Sequence, residues 1–375
     1  MGFDKLRKKI EKVVKGVHVS ILSESDIAKI DTWIKTPSYD LNRVLSGSLH
    51  KGVPLKSHVV VVGPEASFKT SFICLCLRDA SRKGLKPIII DTEGACTTEF
   101  VSRWGLNPDE VLYIYSPLID DVTTIVSNIA TDTDTGYAIA IDSIGGLDRK
   151  KLIEDSSKGE LKADQGILQK EIKRMLKLLV YACKSKNSVA FTTGHLYGNP
   201  SGYGSAEKVG GGNYLKLSAD IIISLKKYEI RKDPSKKTKE GNPVVGTGLY
   251  ACTLKNRFFP PYSEATIEIN YTKGINPYAG LLDICEQAGI FKGAGAWYTY
   301  LRTGEKIQGK NGVIKYISEN QNVIDEIDDF VKSTGYSTYN YELEMKFEDD
   351  EVEKETEFLT SEDIENIENS EPENL

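Results

Sequence analysis

The octapeptide GPEASFKT, residues 63–70, has the residue types of a loop that holds phosphate. Gly63 and Pro64 would make the turn, Lys69 would reach the β- and γ-phosphates, and the Thr70 hydroxyl would ligate Mg²⁺. Glu65, Ala66, Ser67 and Phe68 complete the cradle between them. The apolar run HVVVVG (58–63) ends directly on this loop, and a helix can begin at Lys69. Backbone N–H groups at that helix start would therefore point at an anion. One letter departs from the usual pattern: Phe68 stands where a second glycine normally allows close backbone approach.

Three further runs end on polar groups suited to the same chemistry. YAIAID (137–142) finishes at Asp142, a carboxylate able to hold the magnesium shell through water. PIIID (87–91) leads to Glu93, a candidate general base that would orient and deprotonate an attacking water. SVAFTTGH carries His195 at the same edge, where it could sense a γ-phosphate. Each residue has a plainer reading taken alone; Asp142, for one, could simply cap the next helix. Together they form a set, because ligands of open parallel sheets bind off the carboxyl ends of the strands. The chemistry expected is ATP hydrolysis with Mg²⁺.

These residues need a scaffold, and the apolar pattern supplies one. HVVVVG, PIIID, YAIAID, SVAFTT and ADIIISL (219–225) read as buried strands. Helical stretches such as Lys69–Lys83 and Leu168–Ser185 separate the first four. Buried strands alternating with helices predict a mostly parallel sheet covered on both faces. GLYACTLK (248–255) and ATIEINY (265–271) have no long helix between them, so the sheet should end antiparallel, with a lysine-rich hairpin or loop over 228–248. Leu6, Ile10, Val13, Val14 and Val17 lie at helical spacing, predicting an amphipathic N-terminal helix. A second short helix is expected over Ser25–Trp33, and TPSYDLNRVLSG (36–47) reads as turn, cap and helix.

Composition excludes several classes. No apolar run approaches the roughly 20 residues that span a bilayer, and the N-terminus lacks the apolar block of a secretory signal. The six cysteines (74, 76, 96, 183, 252 and 285) form no C-x-x-C pair, so they read as buried free thiols in a reducing cytoplasm. The net charge of −6 divides unevenly. Residues 342–375 hold fifteen Asp/Glu and two Lys, a net of −13, which leaves +7 on residues 1–341. A basic body with an acidic tail predicts an anionic partner, a purely solubilising tail being the alternative.

The order of motifs resembles the RecA family of strand-exchange recombinases across most of residues 30–317. The pieces are GPEASFKT, DTEGA (91–95), AIDSIGGL (140–147), GGGNYLKLSA (210–219), LKNRFFPP (254–261), INYTKGINPYAGLLD (269–283) and GAGAWYTYLRTGEKIQGKNG (293–312). Phe68 and His195, where cellular RecA has glycine and glutamine, resemble the branch found in T4-like bacteriophages, the UvsX-type recombinases. The resemblance implies an α/β RecA-like P-loop NTPase core with a mostly parallel central sheet flanked by helices. An N-terminal helical element and a small C-terminal α+β lobe would accompany it. The expected division is an oligomerisation segment (1–34), the ATPase core with its DNA-binding loops (35–275), the small lobe (276–341) and a disordered acidic tail (342–375).

Carried over by position, Lys255 and Arg257 match a cation pair that reaches a neighbouring subunit's γ-phosphate. Two residues apart on a strand share a face, which suits this. Phe100 and Tyr271 match aromatics that meet adenine. For single-stranded DNA, Lys170, Lys173, Arg174 and Lys177 recur at i, i+3, i+4 and i+7 and would line one helix face. The glycine-rich segment 196–213 offers Tyr197 and Tyr203 for base stacking. Lys208, Gly210, Gly211, Gly212 and Asn213 would serve phosphate contacts. Implied partners are single-stranded DNA, homologous duplex DNA and further copies of the chain in a helical filament. A single-strand-binding protein and a loading mediator are candidates besides, and the implied location is the cytoplasm, that of a host cell if the protein is phage-encoded. The rival readings are a RecA-like hexameric helicase motor and a non-catalytic mediator that binds ATP and DNA.

Overall fold

The computed structural model describes residues 3–15, 17–151, 166–198, 207–209, 212–233 and 241–335. The acidic tail and Tyr203, Gly210 and Gly211 lie outside these residues.

Six strands form the parallel part of the central sheet. They are β3 (His58–Gly63), β4 (Lys86–Asp91), β5 (Leu112–Tyr115), β6 (Tyr137–Asp142), β7 (Val189–Gly198) and β9 (Ile221–Arg231). The antiparallel side adds β10 (Val244–Asn256), β11 (Glu264–Asn270) and β12 (Gly274–Asn276). The order is β12-β11-β10-β9-β3-β7-β6-β4-β5, with the short β8 (Glu207–Val209) paired antiparallel to the end of β7. Strand β3 therefore runs through the middle, and all of its residues are buried.

Alternation along β3 builds two cores. Val59 and Val61 face the cluster containing Leu41, Val44 and Leu45 of α2 (Tyr39–Ser46) and Phe72, Ile73 and Leu77 of α3 (Lys69–Arg82). Val60 and Val62 face the other cluster, with Val122 and Val126 of α5 (Ile119–Thr131) and Ile172, Met175 and Leu176 of α6 (Ile167–Ser185). Helix α4 (Thr98–Arg103) follows β4, and the short α7 (Asn213–Ser218) precedes β9. Beyond β12, the helices α8 (Leu281–Gln287), α9 (Gly309–Glu319) and α10 (Gln321–Thr334) pack a third cluster with a three-stranded antiparallel sheet.

The N-terminal helix α1 (Asp4–Val13) forms as expected, and none of its residues is buried. Helix α2 has its cap, since the Ser38 hydroxyl accepts the Leu41 N–H. The helix expected over Ser25–Trp33 does not form. A 3₁₀ turn occupies Leu22–Glu24, and Ser25 caps a single turn through Ala28 N–H (3.3 Å) and Lys29 N–H (3.0 Å). The chain then straightens into β1 (Trp33–Ile34), which pairs with β2 (Val53–Pro54). Asp26, Asp31 and Thr32 are weak helix formers, so strand pairing prevails there. All six cysteines are free, and five of them are buried.

At the start of β3, His58 is wholly buried. Its Nε2 lies 3.0 Å from Thr192 Oγ1 and its Nδ1 3.3 Å from Ser218 Oγ, tying β3 to β7 and to the end of α7. Burial pushes its pKa down to about 4, against the attraction of Asp220. The unfolded chain takes up this proton near the ordinary value, so stability is full above that point and is lost as pH falls towards the folded pKa. The loss is on the order of 3 kcal/mol. Urea unfolding of the wild type should weaken from pH 7 to pH 4.5 more steeply than that of a His58→Asn variant; equal slopes would remove His58 as the cause.

Candidate nucleotide and DNA site

The phosphate-type loop leaves the carboxyl end of β3 and enters α3. A Cβ on Gly63 would lie 2.5 Å from Ser67 Oγ and 2.6 Å from Leu225 O, so only glycine fits. The Ser67 hydroxyl is buried and has no hydrogen-bond partner among the described residues. Lys69 Nζ turns back onto Gly63 O (3.0 Å) and Pro64 O (2.8 Å). Burial lowers its pKa, and Asp142, Glu93 and Glu65 oppose that effect. The first bond of the helix runs from Phe72 N–H to Phe68 O (2.9 Å), leaving Lys69, Thr70 and Ser71 N–H without a helical acceptor. An orphaned hydroxyl, a buried ammonium and open N–H groups make a donor set that a triphosphate fits.

Phe68 takes a left-handed backbone, φ 75°, which explains why the usual pattern has glycine here. Its ring meets Trp104 edge-on at 5.0 Å between centroids and packs against the core cluster on the α3 face. Aromatic packing offsets the backbone cost.

The carboxylates gather at the same edge. Asp91 and Asp142 are register partners at the ends of β4 and β6. Thr70 Oγ1 donates to Asp142 Oδ2 at 2.5 Å, and the Thr193 hydroxyl donates to Oδ1. Burial raises the Asp142 pKa, while both threonine bonds lower it. A hydroxyl and a carboxylate in direct contact beside the loop fit a magnesium ion held by Thr70 and Asp142. Glu93 is exposed; its Oε1 accepts from Ser143 Oγ at 2.5 Å and lies 3.9 Å from His195 Nε2. His195 is the register partner of Gly63 across β3 and β7. One positioning residue was not foreseen. Asp91 accepts the N–H groups of Glu93 (3.0 Å), Gly94 (2.8 Å) and Cys96 (2.8 Å), and the Tyr113 hydroxyl (3.1 Å). It thus fixes the loop that presents Glu93.

Lys255 and Arg257 do not share one strand face. The β9–β10 ladder shifts register between Thr253 and Lys255, and β10 ends at Asn256. Lys255 Nζ donates to Lys216 O (2.8 Å), while Arg257 bonds Asp220 Oδ1 (2.9 Å). Asn256 pairs with Ile221, which pairs with Val59, so both cations lie at the amino end of β3. Gly63 is four residues further along, about 13 Å at strand rise. Phe100 is half-buried on α4, and Tyr271 is 64% exposed beyond β11 with its hydroxyl 2.9 Å from Thr247 Oγ1. No described contact joins these two rings.

On α6, Lys170, Lys173, Arg174 and Lys177 are all exposed, opposite the buried Ile172, Met175, Leu176 and Leu179. Lys173 and Lys177 stand 5.4 and 6.0 Å over the ring of Tyr214, an aromatic that the charge pattern alone did not single out. Glu171 is engaged by Arg149 at 3.1 Å. The backbones of Tyr197 and Lys208 are register partners in the β7–β8 hairpin. Gly212, with φ 83°, sits so close to α6 that a Cβ would lie 2.1 Å from Gln169 Oε1. Asn213, which is exposed, then opens α7.

A large, mostly parallel sheet between helices, its loop-bearing strand central and a small antiparallel lobe appended, is the RecA-like α/β fold. Residues 3–276 match the RecA N-terminal domain and residues 279–334 the RecA C-terminal domain. The chain belongs to the RecA family. It is 28% identical to Protein RecA of Acinetobacter baylyi over 290 residues, covering 75% of this chain and 77% of that one. Protein RecA of Teredinibacter turnerae is 28% identical over 291 residues (75% and 79%), and that of Haemophilus ducreyi 28% over 310 residues (80% and 79%). Members of the family are DNA-dependent ATPases that form filaments on DNA. Among the described residues, no helix is long and apolar enough to cross a membrane.

The Phe68 geometry reverses an ordinary expectation. Alanine would keep the left-handed cost and lose the Trp104 packing, whereas glycine would lose the packing alone. Phe68→Gly should be more stable than Phe68→Ala by about 1 kcal/mol, although glycine normally destabilises. Chemical denaturation of both variants measures the difference; a more stable alanine variant would refute the account.

Proposed function

We propose that this chain is an ATP-dependent recombinase that polymerises on single-stranded DNA, pairs it with homologous duplex and exchanges strands. ATP would be hydrolysed at the subunit interfaces. The observation that carries this reading is the separation of the two halves of the site. The loop with Lys69, Thr70, Glu93 and Asp142 lies at the carboxyl end of β3, and Lys255 and Arg257 lie at its amino end. A protomer cannot bring its own cations to its own loop, but a head-to-tail neighbour can. Two exposed surfaces suit such a neighbour. Helix α1 carries Leu6 and Val13 at 53% and 74% exposure, and the sheet ends on β5 with Leu112, Tyr113 and Tyr115 exposed.

The residues divide the work. Lys69 and the open N–H groups bind the phosphates, with Phe100 and Tyr271 serving the adenine. Glu93, held by Ser143 and by the Asp91-fixed loop, draws the proton from the attacking water. Lys255 and Arg257 of the neighbour neutralise the charge that develops on the leaving phosphates. Bound Mg²⁺ would add to that neutralisation. His195 lies between the base and the hairpin of Tyr197 and Lys208, a direct route from nucleotide state to DNA grip. The cationic face of α6, with Tyr214 beneath two of its lysines, suits a phosphate strand. Phe68 and His195 support placement in the T4-like phage branch, acting in the host cytoplasm. The acidic tail would compete with DNA for the basic body.

Strand exchange between circular single strands and linear duplex should proceed only with ATP, on filaments visible by electron microscopy. Closed rings would favour the helicase motor instead, and DNA binding without turnover a mediator. The shared site has its own test in mixtures. Lys69→Ala and Arg257→Ala proteins, each inactive alone, should together recover about a quarter of wild-type turnover when randomly interleaved. Absence of recovery would show that both halves belong to one protomer.

A further inference from the structure

Asp220 is buried where the surroundings of both cations converge, its side chain only 3% exposed. Its Oδ1 accepts from Arg257 at 2.9 Å; its Oδ2 accepts the His58 backbone N–H at 3.0 Å and lies 3.6 Å from Lys184 Nζ. The backbone repeats the link, with Arg257 N–H donating to Asp220 O at 3.1 Å and Asp220 N–H to His58 O at 2.8 Å. Lys255 Nζ, on Lys216 O and Leu217 O, is held by the last turn of α7, just ahead of Asp220.

We propose that Asp220 is a positioning residue that stores Arg257 in the unassembled protomer, so that its carboxylate and a neighbour's triphosphate compete for one guanidinium. The arrangement allows the exchange. Arg257 has a side chain 56% exposed and can swing outward, whereas the buried carboxylate cannot follow it. Stranding a buried carboxylate without a partner would be costly. Lys184 removes that obstacle, since it remains beside Oδ2 as a countercharge when Arg257 leaves. His58, neutral because burial keeps its pKa low, contributes no competing charge. Assembly therefore transfers an ion pair from within the chain to the interface, and hydrolysis by loose protomers is held down.

The inference rests on the reading of Arg257 as the cation delivered across the interface. Asp220→Asn keeps an acceptor for the His58 N–H and removes the charge. On the full chain with saturating ATP and no DNA, it should raise turnover about fivefold, the scale of one partly exposed charge-assisted contact. The protein concentration for half-maximal turnover should fall in step. Lys184→Met should act in the opposite direction, because Asp220 then holds Arg257 alone; a merely structural defect would lower both variants together. Binding of a fluorescent ATP analogue should be unchanged in each. Should Asp220→Asn fail to fold in a thermal melt, reduced turnover in Lys184→Met supports the proposal, and unchanged or raised turnover overturns it. Arg257→Ala separates the two levels. If it hydrolyses ATP normally on poly(dT), the trans reading falls and this inference with it. If it is defective while Asp220→Asn and Lys184→Met match the wild type or shift together, the storage role alone falls.

Discussion

The bonds from Thr70 and Thr193 to Asp142 hold three elements at one point. One threonine opens α3, the other lies on β7, and the carboxylate closes β6. A carboxylate this deeply placed must find donors or lose its charge, and burial already pulls it towards the protonated form. The two hydroxyls oppose that pull, beside Lys69, whose own charge is also disfavoured by burial. Each group is thus tolerable only because the others are present. Once the three elements meet there, the loop, the Glu93 turn and His195 have little freedom in where they emerge.

Strand β3 supplies the second constraint. Its buried residues fill both cores by alternation, so its length is set by packing and cannot shrink to bring distant groups together. The same strand carries the phosphate loop at one end and His58 at the other. Asp220, which accepts the His58 N–H, gathers Arg257 and Lys184 at that second end. On the proposed reading, the core thereby converts a catalytic requirement into an assembly requirement.

Much of this was legible in the letters. Five apolar runs named the parallel core because strands covered on both faces must be continuously apolar. Strand β5 escaped notice because LYIY is short, lies at the sheet edge and keeps most of its side chains exposed. The helix expected before Trp33 failed because one local cap could not outweigh strand pairing. At the site, Lys69, Thr70, Glu93 and Asp142 stood out since their chemistry is local to run ends. Asp220 did not, because its partners are 37 and 162 residues away in the chain. Asp91 was equally hidden: its role is to accept backbone N–H groups, which no side-chain pattern records. Phe68 is a visible departure from the usual pattern, but that Trp104 receives its ring is a tertiary contact that no local pattern records.

The opposite placement of loop and cations also makes a linear assembly directional at its ends. On the proposed arrangement, a row of n molecules contains only n − 1 finished sites. The molecule at one terminus keeps an intact loop that no cation completes, while the one at the other terminus offers cations to nothing. Bound ATP would outlast its neighbours at the first of these ends. The two tips would then differ chemically even though every molecule is identical, and growth and loss of subunits need not occur at the same tip.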